Sequence, residues 1–255
     1  MSHDPRETLN EVLKNIHGSL KWYWQVVMGL SMVKAVDSFY VFLFDGNPPS
    51  IIAIVSFLSL FIVFLLVFIR FYFGDSRYLD EHYIEYRKWR PIEEYLEDIP
   101  VKISKKRTSL DIGMLMVFGI LFVFMAKSLS HSKIFFVTYF ILLVFNIIWL
   151  QITIDLNVKQ QKTQIVQQER YYAPKIWIKN NFVHALLMLP FIWLKFNAIA
   201  SFIVPVFKAS IELGELSTIV LLALCAMNSL IDFKLTSSYY FPDLNKDHDK
   251  RLRGN

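Results

Sequence analysis

A run of apolar residues from Ile51 to Ile69, broken only by two serines, limits this chain more than any other stretch. At 1.5 Å of helical rise per residue, about 20 such residues cross the hydrocarbon core of a bilayer. Comparable runs recur at Ile112–Ala126 and Ile134–Ile154, separated by the short polar stretch Lys127–Lys133. Trp22–Phe44 is a fourth candidate despite Lys34 and Asp37, and Phe182–Phe207 a fifth, interrupted by Pro190, Lys195 and Pro205. Thr218–Phe233 is shorter but runs on towards Tyr239, Tyr240 and Phe241. These runs predict an all-α polytopic membrane protein with about six transmembrane helices.

Basic residues give an independent reading of orientation, because Lys and Arg collect on the cytoplasmic side. Of 27 Lys and Arg, 22 fall in the N-terminal segment, the Arg70–Arg107 loop, the Lys159–Lys179 loop and the tail from Lys234. That alternation is what six spans with both termini cytoplasmic require. The first 21 residues are polar and mixed in charge, so we expect no cleavable signal peptide and Met1 on the cytoplasmic side. The net charge of +5 follows from this distribution and needs no nucleic-acid partner. The 55% hydrophobic content lies above the ~45–50% of soluble domains, excluding both a soluble enzyme and a disordered chain.

The expected organisation is an amphipathic cytoplasmic or interfacial helix over 1–21, then a transmembrane hairpin over 22–73. A basic cytoplasmic helical loop follows over 74–109 and a second hairpin over 110–155. A cytoplasmic helical extension over 156–179, a third hairpin over 180–234 and a cytoplasmic tail over 235–255 complete the chain. Thr8 and Glu11 have capping-box spacing, and Leu9, Val12, Leu13, Ile16 and Leu20 recur at helical intervals. Gly74 is expected to break the second span's helix, and Pro91 to start a short one ended before Pro100. Ala173-Pro174 is expected to stop the extension. Together these segments would form a small cytoplasmic helical layer.

Charged groups at membrane depth normally face protein or water. Lys34 and Asp37, His184 and Lys195, and Asn228 and Asp232 put polar faces on the first, fifth and sixth spans. They are candidates to line a pore or proton path. The plainer alternative is an interhelical ion pair such as Lys34 with Asp232. Enzyme chemistry finds little support. His82 and Glu85 lack the further ligands of a metal site, no nucleotide, hydrolase or zincin motif occurs, and Cys225 is a lone cysteine. No catalytic residue, metal or cofactor is expected.

Arg70-Phe-Tyr-Phe-Gly-Asp-Ser-Arg-Tyr78 concentrates two arginines and four aromatics at the expected cytoplasmic mouth of the second span. Guanidinium groups and aromatic faces suit a phosphate-bearing, base-stacking ligand. Equally, Arg70 would snorkel, the aromatics would form an interfacial belt and Gly74 would cap a helix.

Three stretches carry a resemblance: Met28–Phe39, Arg70–Asp80, and Asn228–Phe233 with Tyr240-Phe-Pro242. In them the chain resembles small polytopic membrane effectors of bacterial antiphage defence, above all the Hailong-type effector channel. The resemblance implies a homo-oligomeric, tetrameric ion channel in the bacterial inner membrane that disrupts membrane potential. It also implies gating by a nucleotide oligomer or short single-stranded DNA from a partner nucleotidyltransferase. On that reading Arg70, Arg77, Lys102, Lys105, Lys106 and Arg107 are candidate phosphate contacts, and Tyr72, Tyr78 and Trp89 candidate stacking platforms. A secondary transporter or a non-catalytic membrane scaffold are the alternatives, and an intramembrane enzyme comes last.

Overall fold

The computed structural model describes residues 5–44, 48–83, 105–160, 172–196 and 211–237. All of these but short connections are helical. The six helices are α1 (Pro5–Phe44), α2 (Ile51–Tyr83), α3 (Lys105–Lys127), α4 (Ser132–Gln160), α5 (Tyr172–Phe196) and α6 (Ile211–Leu235). Four of them, α1 to α4, contain stretches long and apolar enough to cross a membrane. The short helix expected after Pro91 lies outside the described residues.

Local chemistry explains several boundaries. Ser50 caps α2, its hydroxyl accepting the Ala53 amide at 3.2 Å, while the Ser50 carbonyl accepts the Ile54 amide at 3.0 Å. Between α3 and α4, Ser128 folds back on Phe124 through amide and hydroxyl, and the His131 amide closes onto the Ser128 carbonyl. At the end of α6 the Thr236 hydroxyl and amide both bond the Asp232 carbonyl.

α1 is one continuous helix, its N-terminal part leading straight into the first apolar run. One expected boundary, the break at Gly74, is corrected. α2 runs through Gly74 to Tyr83. Glycine costs only about 1 kcal/mol in a helix interior, and at this position it makes room for a ring from α5: a Cβ on Gly74 would lie 3.2 Å from the Trp177 indole. Pro174 falls in the first turn of α5, where a missing amide costs little because first-turn amides have no helical acceptor.

The helices close a ring. α1 packs on α2 and α3, α2 on α6, α6 on α5, α5 on α4, and α4 on α3. One half of the interior, shared by α1 to α4, is aromatic. The Phe122 ring of α3 meets Trp24, Phe64, Phe68 and Phe71, the last at 5.3 Å between centroids, mostly edge to face. Phe118 joins the same cluster through Phe71 and Trp149. In lipid, helices associate through close packing and polar contacts rather than through a hydrophobic driving force, and edge-to-face rings supply such packing. Outward faces carry exposed Ile62, Ile120, Phe124, Ile148 and Leu230, a surface suited to hydrocarbon.

α1 and α3 approach closely at Gly119, where a Cβ would come within 2.2 Å of Val27 Cγ1. Gly119→Ala should therefore destabilise the protein by about 1–3 kcal/mol, the usual cost of overpacking. Thermal unfolding in detergent measures it, and adding Val27→Ala should recover most of the loss.

Candidate functional site

The other half of the interior, shared by α2, α4, α5 and α6, holds a buried polar cluster among apolar side chains. It sits towards the end of the bundle where α2, α4 and α6 finish and α3 and α5 begin. α2 contributes Arg70 and Asp75, both buried, and α6 contributes Asp232, fully buried. Arg70 Nε lies 2.5 Å from Asp232 Oδ2. The Asn180 amide of α5 donates to the other Asp232 oxygen, so three helices meet on one carboxylate.

One turn away, Asn228 reaches back to α5. Its side-chain amide lies 3.1 Å from His184 Nδ1 and 3.4 Å from the Asn180 carbonyl. His184 Nε2 lies 3.0 Å from the Cys225 carbonyl. A carbonyl only accepts, so Nε2 donates and Nδ1 accepts from Asn228. Both ring nitrogens are thus engaged by protein groups.

Beside the ion pair is a crevice lined by Arg70, Phe71, Gly74, Asp75, Asn146, Leu150 and Trp177, with room for about one water. Asp75 Oδ2 and Asn146 Oδ1 are buried there without a hydrogen-bond donor among the described residues. A second carboxylate, Asp111 of α3, is held separately. Tyr78 and Tyr83 hydroxyls donate to it at 2.9 and 2.7 Å, and the Trp149 indole at 3.3 Å. At the same end Asp80 ties α2 to α1, with His17 Nε2 at 2.7 Å and Lys21 Nζ at 2.9 Å.

The structure thus brings together Arg70, His184, Asn228 and Asp232 among the residues singled out from sequence. Arg70 and Tyr78, candidates for ligand contact, are buried, and Tyr78 is engaged by Asp111. Arg77 is half-buried, and Tyr72 stacks on Phe68 with the rings nearly parallel. Lys105, Lys106 and Arg107 form the first turn of α3, and Lys195 lies in the last turn of α5. Trp89 and Lys102 lie outside the described residues.

The pairing of Lys34 with Asp232 is corrected. Lys34 pairs instead with Asp37 on its own helix, at 3.2 Å, and both point away from the bundle. The reason is topological, since α2 stands between α1 and α6. Asp75, Asp111, Asn180 and Asn146 are participants the sequence reading missed. For Asn146 and Asn180 the signal was present, since each is an amide inside or beside an apolar run, placed where a membrane helix needs a partner.

Among the described residues no three His, Cys, Asp or Glu side chains group as a metal site. What the cluster can do chemically is hold charge out of water and fix α2, α5 and α6 against one another. No known protein family matches the chain, and neither a curated protein nor a solved structure does.

Breaking a buried pair leaves an uncompensated charge and costs about 3–5 kcal/mol, whereas replacing both partners by apolar groups is often neutral. Arg70→Met alone should therefore unfold at markedly lower temperature, and Arg70→Met with Asp232→Leu should recover most of the loss. Equal, additive losses in the double variant would show that the two side chains do not act on each other.

Proposed function

We propose that the chain is a six-span effector of the bacterial inner membrane, with both termini cytoplasmic. It assembles as a homo-oligomer, a tetramer by its resemblance to Hailong-type channels. The assembly conducts ions between subunits, under the control of a nucleotide oligomer or short single-stranded DNA. Its action is to collapse membrane potential during antiphage defence, and it catalyses no reaction.

The observation that carries this reading is the Arg70–Asp232 pair. A buried ion pair adds little net stability, and an ionisable group at membrane depth is a functional candidate by default. This pair joins α6 to the part of α2 that leads directly into the basic segment ending in Lys105, Lys106 and Arg107. A polyanion on that segment would pull on the end of α2 and bias the contact with α6. That is the differential interaction that a ligand-driven change of state requires.

The filling of the ring by buried side chains, aromatic in one half and with the ion-paired cluster in the other, supports placing the conducting path between subunits rather than through one chain. It equally favours one second reading, a non-conducting scaffold, and ion flux separates the two.

The test is dye-reported ion leakage from liposomes carrying the purified protein, with and without short single-stranded DNA. Leakage should change on adding the oligonucleotide. Replacing Lys105, Lys106 and Arg107 by Ala should weaken that response and flatten its salt dependence, by about 0.7 in log–log slope for each phosphate no longer neutralised. Membranes equally tight in every condition would overturn the pore and leave the scaffold.

A further inference from the structure

α1 carries two stripes. The inner one, Leu20, Trp24, Met28, Ser31 and Ala35, is buried in the bundle. The outer one is Val26, Leu30, Val33, Asp37, Tyr40 and Phe44, at successive spacings of four and three, and every member is exposed. Leu30, Val33, Tyr40 and Phe44 are each more than half exposed, at 56%, 62%, 63% and 68%. A 3.5-residue period is the pattern of a helix that packs along its length on another helix.

Lipid alone does not suit this stripe. Asp37 stands on its centre line and Lys34 on its flank, and their side chains are 55% and 45% exposed. In the apolar run Trp22–Phe44, Lys34 is ~18 Å from one end and ~15 Å from the other at 1.5 Å per residue. That is the middle of the hydrocarbon, where a charged pair is normally covered by protein or water.

We infer that this outer stripe of α1 is a self-association surface, packed against the α1 of a second copy. The charges select the partner. Copies in the membrane share one orientation, so residues of equal number stand at equal height and Lys34 of one copy lies within one helical turn of Asp37 of the next, ~4.5 Å along the axis at 1.5 Å per residue. The pair that is open in one chain is then enclosed between neighbouring copies, in the heterologous contact that closes a same-orientation tetramer into a ring. This deepens the homo-oligomeric reading above and rests on it, while standing apart from the ligand and from conduction.

The test uses full-length protein in membranes, with the buried native thiol removed as Cys225→Ala. Leu30→Cys, Val33→Cys and Tyr40→Cys should each form covalent dimers on mild oxidation. Ile120→Cys, exposed on the outward face of α3, should not. Reversing one charge, as Lys34→Asp, should abolish cross-linking at Val33→Cys, and reversing both with Asp37→Lys should restore it.

An oligomer by native mass spectrometry without α1 cross-links would overturn the seam and leave the pore reading standing. A monomer would overturn both. Cross-links in a protein that never conducts would support the seam and sink the pore. Cross-linking at Ile120→Cys as strong as at Val33→Cys would reduce the signal to random collision and overturn the assignment.

Discussion

The contact on which the polar half of this molecule depends is that between Arg70 and Asp232. Neither group can be left alone in a medium of low dielectric, so the first fixes α2 and the second fixes α6. Asn180 then fastens α5 to the same carboxylate, and the ring closes through α5 and α4. The aromatic half is built differently. There Phe122 of α3 joins α1 and α2, and Phe118 adds α4 through Trp149, by ring contacts that are individually weak and collectively directional. One bundle therefore has a half held by shape and a half held by charge, with α2 and α4 common to both.

That division bears on mechanism. Close-packed rings resist small displacements and shift only between discrete arrangements. A polar cluster beside a crevice with room for about one water, where Asp75 and Asn146 each have a buried oxygen without a donor among the described residues, offers more than one way to satisfy its groups. The polar groups sit towards the end of the bundle where α2 and α6 finish. The Asp80 clamp from His17 and Lys21 lies at the same end and fastens α1 to the last turns of α2. A pull on α2 would thus be transmitted to α1, whose outer stripe is the proposed subunit contact.

Much of the fold was legible because a bilayer imposes length and composition together. Ile51–Ile69 has the length and composition of a helix able to cross a membrane, and its extension to Tyr83 was hidden only by Gly74. Glycine reads as a breaker on local grounds, whereas its use here, leaving space for Trp177, depends on a residue from another helix. Arg70 was read as a phosphate contact or a snorkelling side chain, yet it is buried against Asp232 of the last helix, and no local pattern connects the two. His184, Asn228 and Asp232 were legible as polar residues at depth, and Asn228 and Asp232 as sharing a face. Asp75 and Asp111 were not, because acids near the ends of apolar runs look like ordinary flanking charges. Lys34 and Asp37 were legible as a stripe on one face, but periodicity alone does not say whether a stripe faces inward or outward.

The polar half can act at membrane depth only if α5 and α6 cross the bilayer, carrying Asn180, His184, Asn228 and Asp232 to the level of Arg70. Single cysteines at Lys208, in the segment between them, and at Ser237, just past α6, decide this in a Cys225→Ala chain. Sealed vesicles of known orientation are treated with an impermeant thiol reagent. Six spans predict that Lys208→Cys labels only from the outer side and Ser237→Cys only from the cytoplasmic side. Labelling of both from one side would mean that α5 and α6 do not cross, and the six-span arrangement would fail with everything built on it.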